Sequence, residues 1–194
     1  MSIGELDEAV RRCPDMDITV ESRALVVVAG LPGSGKSTLL RHAKANVPIS
    51  VLDTDQVRAL LGRLLPSSLP YGWYRPFVHI LHTARLLATV LFSSRPVLVH
   101  DPATGAGART AFALMGALSR RHKHFIWIDC TPAEALAGQV ARGRVLLKWS
   151  FARHMRRSPQ VRSRLLAGRR PQGWHTAQVV DRTTASTGLQ LKVA

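Results

Sequence analysis

The residues Gly30-Leu31-Pro32-Gly33-Ser34-Gly35-Lys36-Ser37-Thr38 follow directly on the apolar stretch Ala24 to Ala29. Their types and spacing are those of a loop that holds phosphate, since G-x-x-x-x-G-K-[ST] runs from Gly30 to Ser37. Three glycines let successive N–H groups turn inward around an anion, because no Cβ blocks the approach or the positive φ angles it needs. A helix expected from Gly35 aims its positive end at the same point. Lys36 is placed to bridge the β- and γ-phosphates and Ser37 to give its hydroxyl to Mg²⁺, with Gly33, Ser34, Gly35 and Thr38 completing the nest. The implied chemistry is that of a nucleoside triphosphate.

Transfer of a phosphoryl group also needs an acceptor held in line and a place for its proton to go. Asp55 is the carboxylate assigned to that role, with Asp53 as its rival and helix N-capping as the alternative reading for an acid at this position. Arg58 lies one helical turn after Asp55, where it can grip a phosphate on the acceptor or stand as an exposed arginine. Asp101 either reaches Mg²⁺ through water or caps the next turn. Tyr71, Trp73 and Tyr74 sit among Pro70, Gly72, Arg75 and Pro76, either to stack a base or to anchor a loop. His79 with His82, and His122 with His124, lack a visible third ligand and read as structural or surface histidines.

The elements that must position these residues are short apolar runs separated by helical patterns. Ala24–Ala29, Ile49–Leu52, Pro96–His100, Phe125–Ile128 and Ala177–Val180 are rich in Val and Ile. Helices are expected over Gly35–Asn46, Asp55–Leu64, Arg75–Ser93, Gly107–Arg121 and Pro132–Arg142, the last opened by a Thr131–Glu134 capping box. That alternation predicts an α/β three-layer sandwich around a central, mostly parallel five-stranded sheet with a helical lid. Ligands of such sheets bind beyond the carboxyl ends of the strands, where Asp53, Asp55, Asp101, Asp129 and Asp181 all fall. Residues 4–12 are expected to form a short amphipathic helix and Asp15–Ser22 a polar connection; 145–168 reads as a very basic helix.

The 194 residues are read as a single domain, with an N-terminal appendage (1–22), a core (24–134 and 172–183) and a basic lid region (135–170). The formal net charge is +15, and 22 of the 27 basic residues are arginine, whose planar forks suit phosphate. No acid occurs between Glu134 and Asp181, a gap that holds nine arginines and Lys148. Such a field attracts anions and makes their binding salt-sensitive. No apolar run approaches the roughly 20 residues of a membrane span, and the N-terminus carries Glu5, Asp7 and Glu8, so a cytoplasmic location is expected. Cys13 and Cys130 suggest no disulfide framework.

Taken together, GLPGSGKST, Asp55-x-x-Arg58, the run Val97 to Thr104 with Arg109 following, and Ile126 to Cys130 leading to Arg142-Gly143-Arg144 resemble the P-loop kinases related to polynucleotide 5′-hydroxyl kinase. Zeta toxins, gluconate kinase and chloramphenicol phosphotransferase are relatives in the same AAA-domain, ATP-binding superfamily. The resemblance spans roughly residues 24–182. It implies Asp55 as the acceptor-activating carboxylate, Arg58 as an acceptor-phosphate ligand, Arg142 or Arg144 as the lid arginine on the triphosphate, and a lid that closes over ATP. Asp53, Tyr74, Thr104 and Arg109 are the further acceptor-side residues, and Ser37 and Asp101 the Mg²⁺ residues. Gly138 stands where the family often has arginine, and Pro102 follows Asp101 where a motor ATPase would carry its catalytic glutamate.

The expected function is therefore an ATP- and Mg²⁺-dependent kinase acting on a hydroxyl, either a nucleic-acid 5′-OH or a small polar molecule such as a nucleoside, sugar or antibiotic. The alternative is a nucleotide-binding switch protein with weak hydrolysis whose basic surface binds nucleic acid or a protein partner. The oligomeric state is left open.

Overall fold

Ala24 to Gly30 carries no polar side chain, and all seven residues of this strand are buried. A run this apolar is stable only where both of its faces are covered. The computed structural model, which describes residues 10–12, 16–141, 143 and 148–194, places it inside a six-stranded sheet. The strands are β1 (Val10–Arg12), β3 (Ala24–Gly30), β5 (Ser50–Leu52), β6 (Val97–His100), β7 (His122–Asp129) and β8 (Thr176–Asp181), in the order β1-β8-β7-β3-β6-β5. Every pairing is parallel. The five expected strands are there.

Because side chains alternate along a strand, β3 serves two cores at once. Leu25, Val27 and Ala29 share a core with Leu86 and Val90 of α3 (Tyr71–Phe92), Phe112 of α4 (Ala106–Leu118), and Val161 and Leu165 of α6 (Lys148–Leu166). Ala24, Val26 and Val28 share the other with Leu39 and Leu40 of α1 (Lys36–Arg41) and Ala185 of α7 (Arg182–Thr187). Two further helices, α2 (Thr54–Leu64) and α5 (Pro132–Val140), leave the carboxyl ends of β5 and β7. The Thr131–Glu134 capping box is formed.

Four local expectations are corrected. Residues 10–12 form a strand on β8 rather than part of a helix, while 4–9 lie outside the described residues. The connection after Asp15 contains β2 (Asp17–Val20), whose alternating Ile18 and Val20 are buried; it pairs with β9 (Gln190–Val193) in a small parallel sheet completed by β4 (Lys44–Ala45). Helix α1 accordingly stops at Arg41 instead of Asn46, since Lys44 and Ala45 are drawn into that sheet. Helix α5 ends at Val140 with Ala141 as its C-cap, while Arg142, the last residue expected of it, lies outside the described residues.

At the pole opposite the loop Gly30–Thr38, the buried Arg121 donates to the carbonyls of Val90 (2.7 Å), Arg95 (2.9 Å) and Ser93. It thereby satisfies carbonyls that the end of α3 leaves unpaired. Nearby, Glu21 bridges His122 (2.8 Å) and His124 (2.7 Å). Among the described residues no helix is long and apolar enough to cross a membrane.

Candidate active site

The phosphate loop leaves β3 at the centre of the sheet and runs straight into α1. Gly30, Gly33 and Gly35 have φ values of 140°, 95° and 108°, a region that favours glycine. Backbone proximity adds a second demand at Gly33, where a Cβ would lie 2.0 Å from the Ala135 carbonyl oxygen of α5. At Gly35 a Cβ would meet nothing within 4 Å, so the positive φ there opens the loop onto space. The departure at Gly138 has the same root: its Cβ would come within 2.2 Å of the Gly33 carbonyl oxygen, so an arginine could not stand there with α5 this close. Gln139 then donates to the Pro32 carbonyl at 3.0 Å, clipping α5 to the loop.

Lys36 is 2% exposed, and its Nζ donates to the carbonyls of Gly30 (2.9 Å) and Leu31 (2.8 Å), which hold the ammonium against the loop. Ser37 Oγ lies 3.5 Å from His100 Nδ1, and the same nitrogen is 2.9 Å from Asp53 Oδ2. Asp53 Oδ1 accepts from the Asp55 amide at 3.0 Å, which makes Asp53 the N-cap of α2. Burial alone would raise the Asp53 carboxyl; the hydrogen bond and charge of His100, with the Asp55 amide, outweigh it and hold the group below its ordinary range. The capping role considered for Asp55 therefore belongs to Asp53, and both Asp53 oxygens are engaged.

Asp55 itself is exposed in the first turn of α2 and lines a cleft of about 1620 Å³ that also takes in Lys36 and Ser37. Arg58 borders the same cleft, its guanidinium 4.2 Å from the centre of the Tyr71 ring. Asp101 accepts the Ala103 amide at 2.7 Å, and so does cap a turn; desolvation pushes its carboxyl up against the pull of Ala103, His100 and Lys36. Hydroxyl and carboxylate oxygens are donors that suit Mg²⁺, so Ser37 and Asp101 fit that ion chemically. Open space beside Gly35, at the N-terminus of α1, suits an anion such as phosphate. Among the described residues no three His, Cys, Asp or Glu side chains are grouped to hold a metal without such a partner.

The opposite wall is more basic than the motifs alone indicate. Arg153, Arg157, Gln160 and Arg164 of α6 all line the cleft, and their spacing of four, three and four puts them on one ridge of the helix. That periodicity is visible in the sequence and was the missed signal. Arg162, off this ridge, pairs with Asp129 at 2.8 Å and pins α6 over the carboxyl end of β7. Thr104 Oγ1 meets His154 Nδ1 at 2.8 Å. Burial, and behind it the charges of Arg153, Lys36 and Arg157, push His154 down to about 4, so it is neutral at ordinary pH.

Of the other expected residues, Arg109 lines the cleft but donates to the carbonyls of Ala103 (2.8 Å) and Thr104 (2.9 Å), holding the loop that contains Ala103 at φ 44°. Tyr74 is not part of the cleft wall; it packs edge-on against Tyr71, 5.3 Å between centroids. Thr38 accepts from Arg41 at 3.5 Å in the first turn of α1. Arg142 and Arg144 lie outside the described residues, although Gly143 between them reaches the cleft.

The model of the AAA domain family matches residues 25–156, from the central strand into the basic helix. The chain belongs to the AAA domain family. This AAA domain has the α/β fold of a P-loop protein, a parallel sheet flanked by helices with the phosphate loop between β3 and α1. A structure from the PezAT toxin–antitoxin system of Streptococcus pneumoniae is similar over 94% of this chain and 74% of its own, at 12% identity and a TM-score of 0.56. A kinase candidate from Chloroflexus aurantiacus is similar over 83% of this chain and 89% of its own, at 19% identity and a TM-score of 0.51. At these identities the likeness is one of fold. No curated protein matches the sequence.

Proposed function

We propose that this AAA domain is a kinase that moves the γ-phosphate of ATP onto a hydroxyl of an acceptor, either a nucleic-acid 5′-OH or a small polar molecule. The observation that carries the reading is the placement of Asp55 and Lys36 on one cleft, acceptor-side carboxylate and phosphate-side cation, with arginines on the wall between α2 and α6. A hydrolase needs no such acceptor wall.

In the reaction the acceptor oxygen forms a bond to the γ-phosphorus, the bond from that phosphorus to the β–γ bridging oxygen breaks, and ADP leaves. The backbone nest and Lys36 hold the triphosphate, and Lys36 balances charge that builds on the bridging oxygen. Mg²⁺, which Ser37 and Asp101 would hold, would supply further neutralisation of the phosphates. Asp55 orients the hydroxyl and accepts its proton. An ordinary carboxylate is a weak base for an alcohol, yet in a loose transition state the proton leaves late and a positioned acceptor is enough. Arg58, backed by the Tyr71 ring, together with Arg153 and Arg157, draws anionic groups of the acceptor into the cleft. Thr104, tied to His154, and Arg109 shape the loop on which the acceptor rests.

The test is incubation with ATP and pooled acceptors, oligonucleotides with free 5′ ends, nucleosides and sugars, followed by mass detection of any species that gains one phosphate. A phosphorylated acceptor supports the proposal. Release of ADP and inorganic phosphate with every acceptor unchanged defeats it.

A further inference from the structure

Helix α3 is apolar on the side that faces its own core and again on the side that does not. Val78, His82, Leu86 and Val90 are its buried ridge. On the outer side Trp73, Phe77, Ile80, Ala84, Leu87 and Leu91 are all exposed, at successive intervals of four, three, four, three and four residues. That interval repeat is the seam along which two helices wind about each other. Leu81 and Phe92 flank it, exposed by 42% and 85%. The ionisable residues of α3 all belong to the other side: Arg75 and His79 line the cleft, His82 is buried, and Arg85 donates to Gln56 of α2 at 2.6 Å. A second apolar face on a helix, opposite its buried one, is a face that a partner covers.

We propose that a second copy of this chain covers it, α3 packing antiparallel on α3 across a twofold axis. Three observations select a copy over a different partner. The seam requires a matching seam, and this helix carries one. The chain has a formal charge of +15, and the outer arc of α3, which carries no charged side chain, is a face on which two copies bring no like charges into close contact. The area is also sufficient. Trp73, Phe77 and Phe92 are 76%, 64% and 85% exposed; at the roughly 150–250 Å² that an aromatic side chain buries, they offer on the order of 450 Å². Ile80, Leu81, Leu87 and Leu91 carry that towards the ~800 Å² each partner contributes to a stable interface. An isologous antiparallel register sets Trp73 against Leu91, Phe77 against Leu87, and Ile80 against Ala84, large against small at the crossing. The cleft opens on the other flank of α3, so both active sites stay accessible, and the dimer is independent of the reaction proposed above.

Sedimentation velocity of the full chain at tens of micromolar is expected to give the mass of two chains. The double variant Ile80→Glu/Leu87→Glu is expected to sediment as one chain while keeping its circular dichroism and nucleotide binding. In a background with Cys13 and Cys130 replaced by serine, the variant carrying both Ile80→Cys and Ala84→Cys is expected to form a disulfide-linked pair under mild oxidation. Trp73→Cys alone is expected to stay unlinked. A monomeric wild type, a dimer that survives the double charge substitution, a linked pair from Trp73→Cys alone, or monomers that instead float with anionic vesicles would each overturn the proposal. If the charged variant does not fold, the cysteine variants still decide.

Discussion

Replacing Asp55 by asparagine separates the catalytic reading from the structural one, because the neighbouring Asp53 performs the structural work. Asp53 caps α2 through the Asp55 amide and holds His100 at 2.9 Å, whereas Asp55 is exposed in the first turn of the helix. Asp55→Asn therefore keeps that cap and removes a charge from the first turn of α2, whose helix-dipole term is about 0.3–1 kcal/mol of stability. In the proposed reaction it loses the proton acceptor, worth about 10²–10⁴ in rate, or roughly 3–5 kcal/mol of barrier. ATP affinity should change little, since the triphosphate is held by the loop and Lys36. Asp53→Ala has the reverse profile, costing about 1 kcal/mol for the cap and more for His100. The assay is transfer kcat/KM on the phosphorylated acceptor, with nucleotide Kd from equilibrium titration and stability from urea unfolding. Transfer by Asp55→Asn within twofold of wild type, or a folded Asp53→Ala that loses transfer while Asp55→Asn keeps it, would refute the assignment.

Other consequences follow from the same geometry. Gly138→Ala drives a methyl into the Gly33 carbonyl at 2.2 Å, so α5 must shift; nucleotide affinity should fall at least tenfold by titration, together with stability. Arg121→Met strands several carbonyls at the end of α3 and should cost about 3 kcal/mol, a Tm decrease of about 6–12 °C by calorimetry, with the nucleotide Kd unchanged. His154 is held down to about 4, so between the unfolded value near 6.5 and that value the unfolded chain takes up a proton the folded chain refuses. Stability should thus decline as pH falls through this window, and the decline should shrink in His154→Gln when unfolding is followed from pH 7 to 4. Exchanging Arg153 and Arg157 for glutamine should raise the acceptor KM more than it lowers kcat, measured at fixed saturating ATP.

The centre of the molecule was legible because its signals are local. A seven-residue apolar strand, a glycine-rich loop and a helix adjoin in sequence, and the motif states their geometry. Five of the six strands of the main sheet were legible for the same reason, each being a compact apolar run, whereas β1, three residues within an expected helix, was not. The small sheet was not, because β2, β9 and β4 are two to four residues long and β2 meets β9 across almost the whole chain. Asp55 and Asp53 lie two residues apart, and only the direction of each carboxylate says which one caps α2. The α6 arginines illustrate a different failure: as a composition they set a diffuse field, whereas their spacing already put Arg153, Arg157 and Arg164 on one ridge. Tyr74 was placed by its neighbours in sequence, but the helix begins at Tyr71, four residues earlier than expected, and rotates it away from the cleft.

The most direct measurement is single-turnover reaction with ATP labelled only in its γ-phosphate, in the presence of an acceptor identified from the pool, with ADP and labelled product quantified together. The account predicts one labelled acceptor for each ADP formed, in wild type but not in Lys36→Ala or Asp55→Asn. ADP accompanied by labelled inorganic phosphate, with the acceptor unlabelled at every concentration tried, would contradict it.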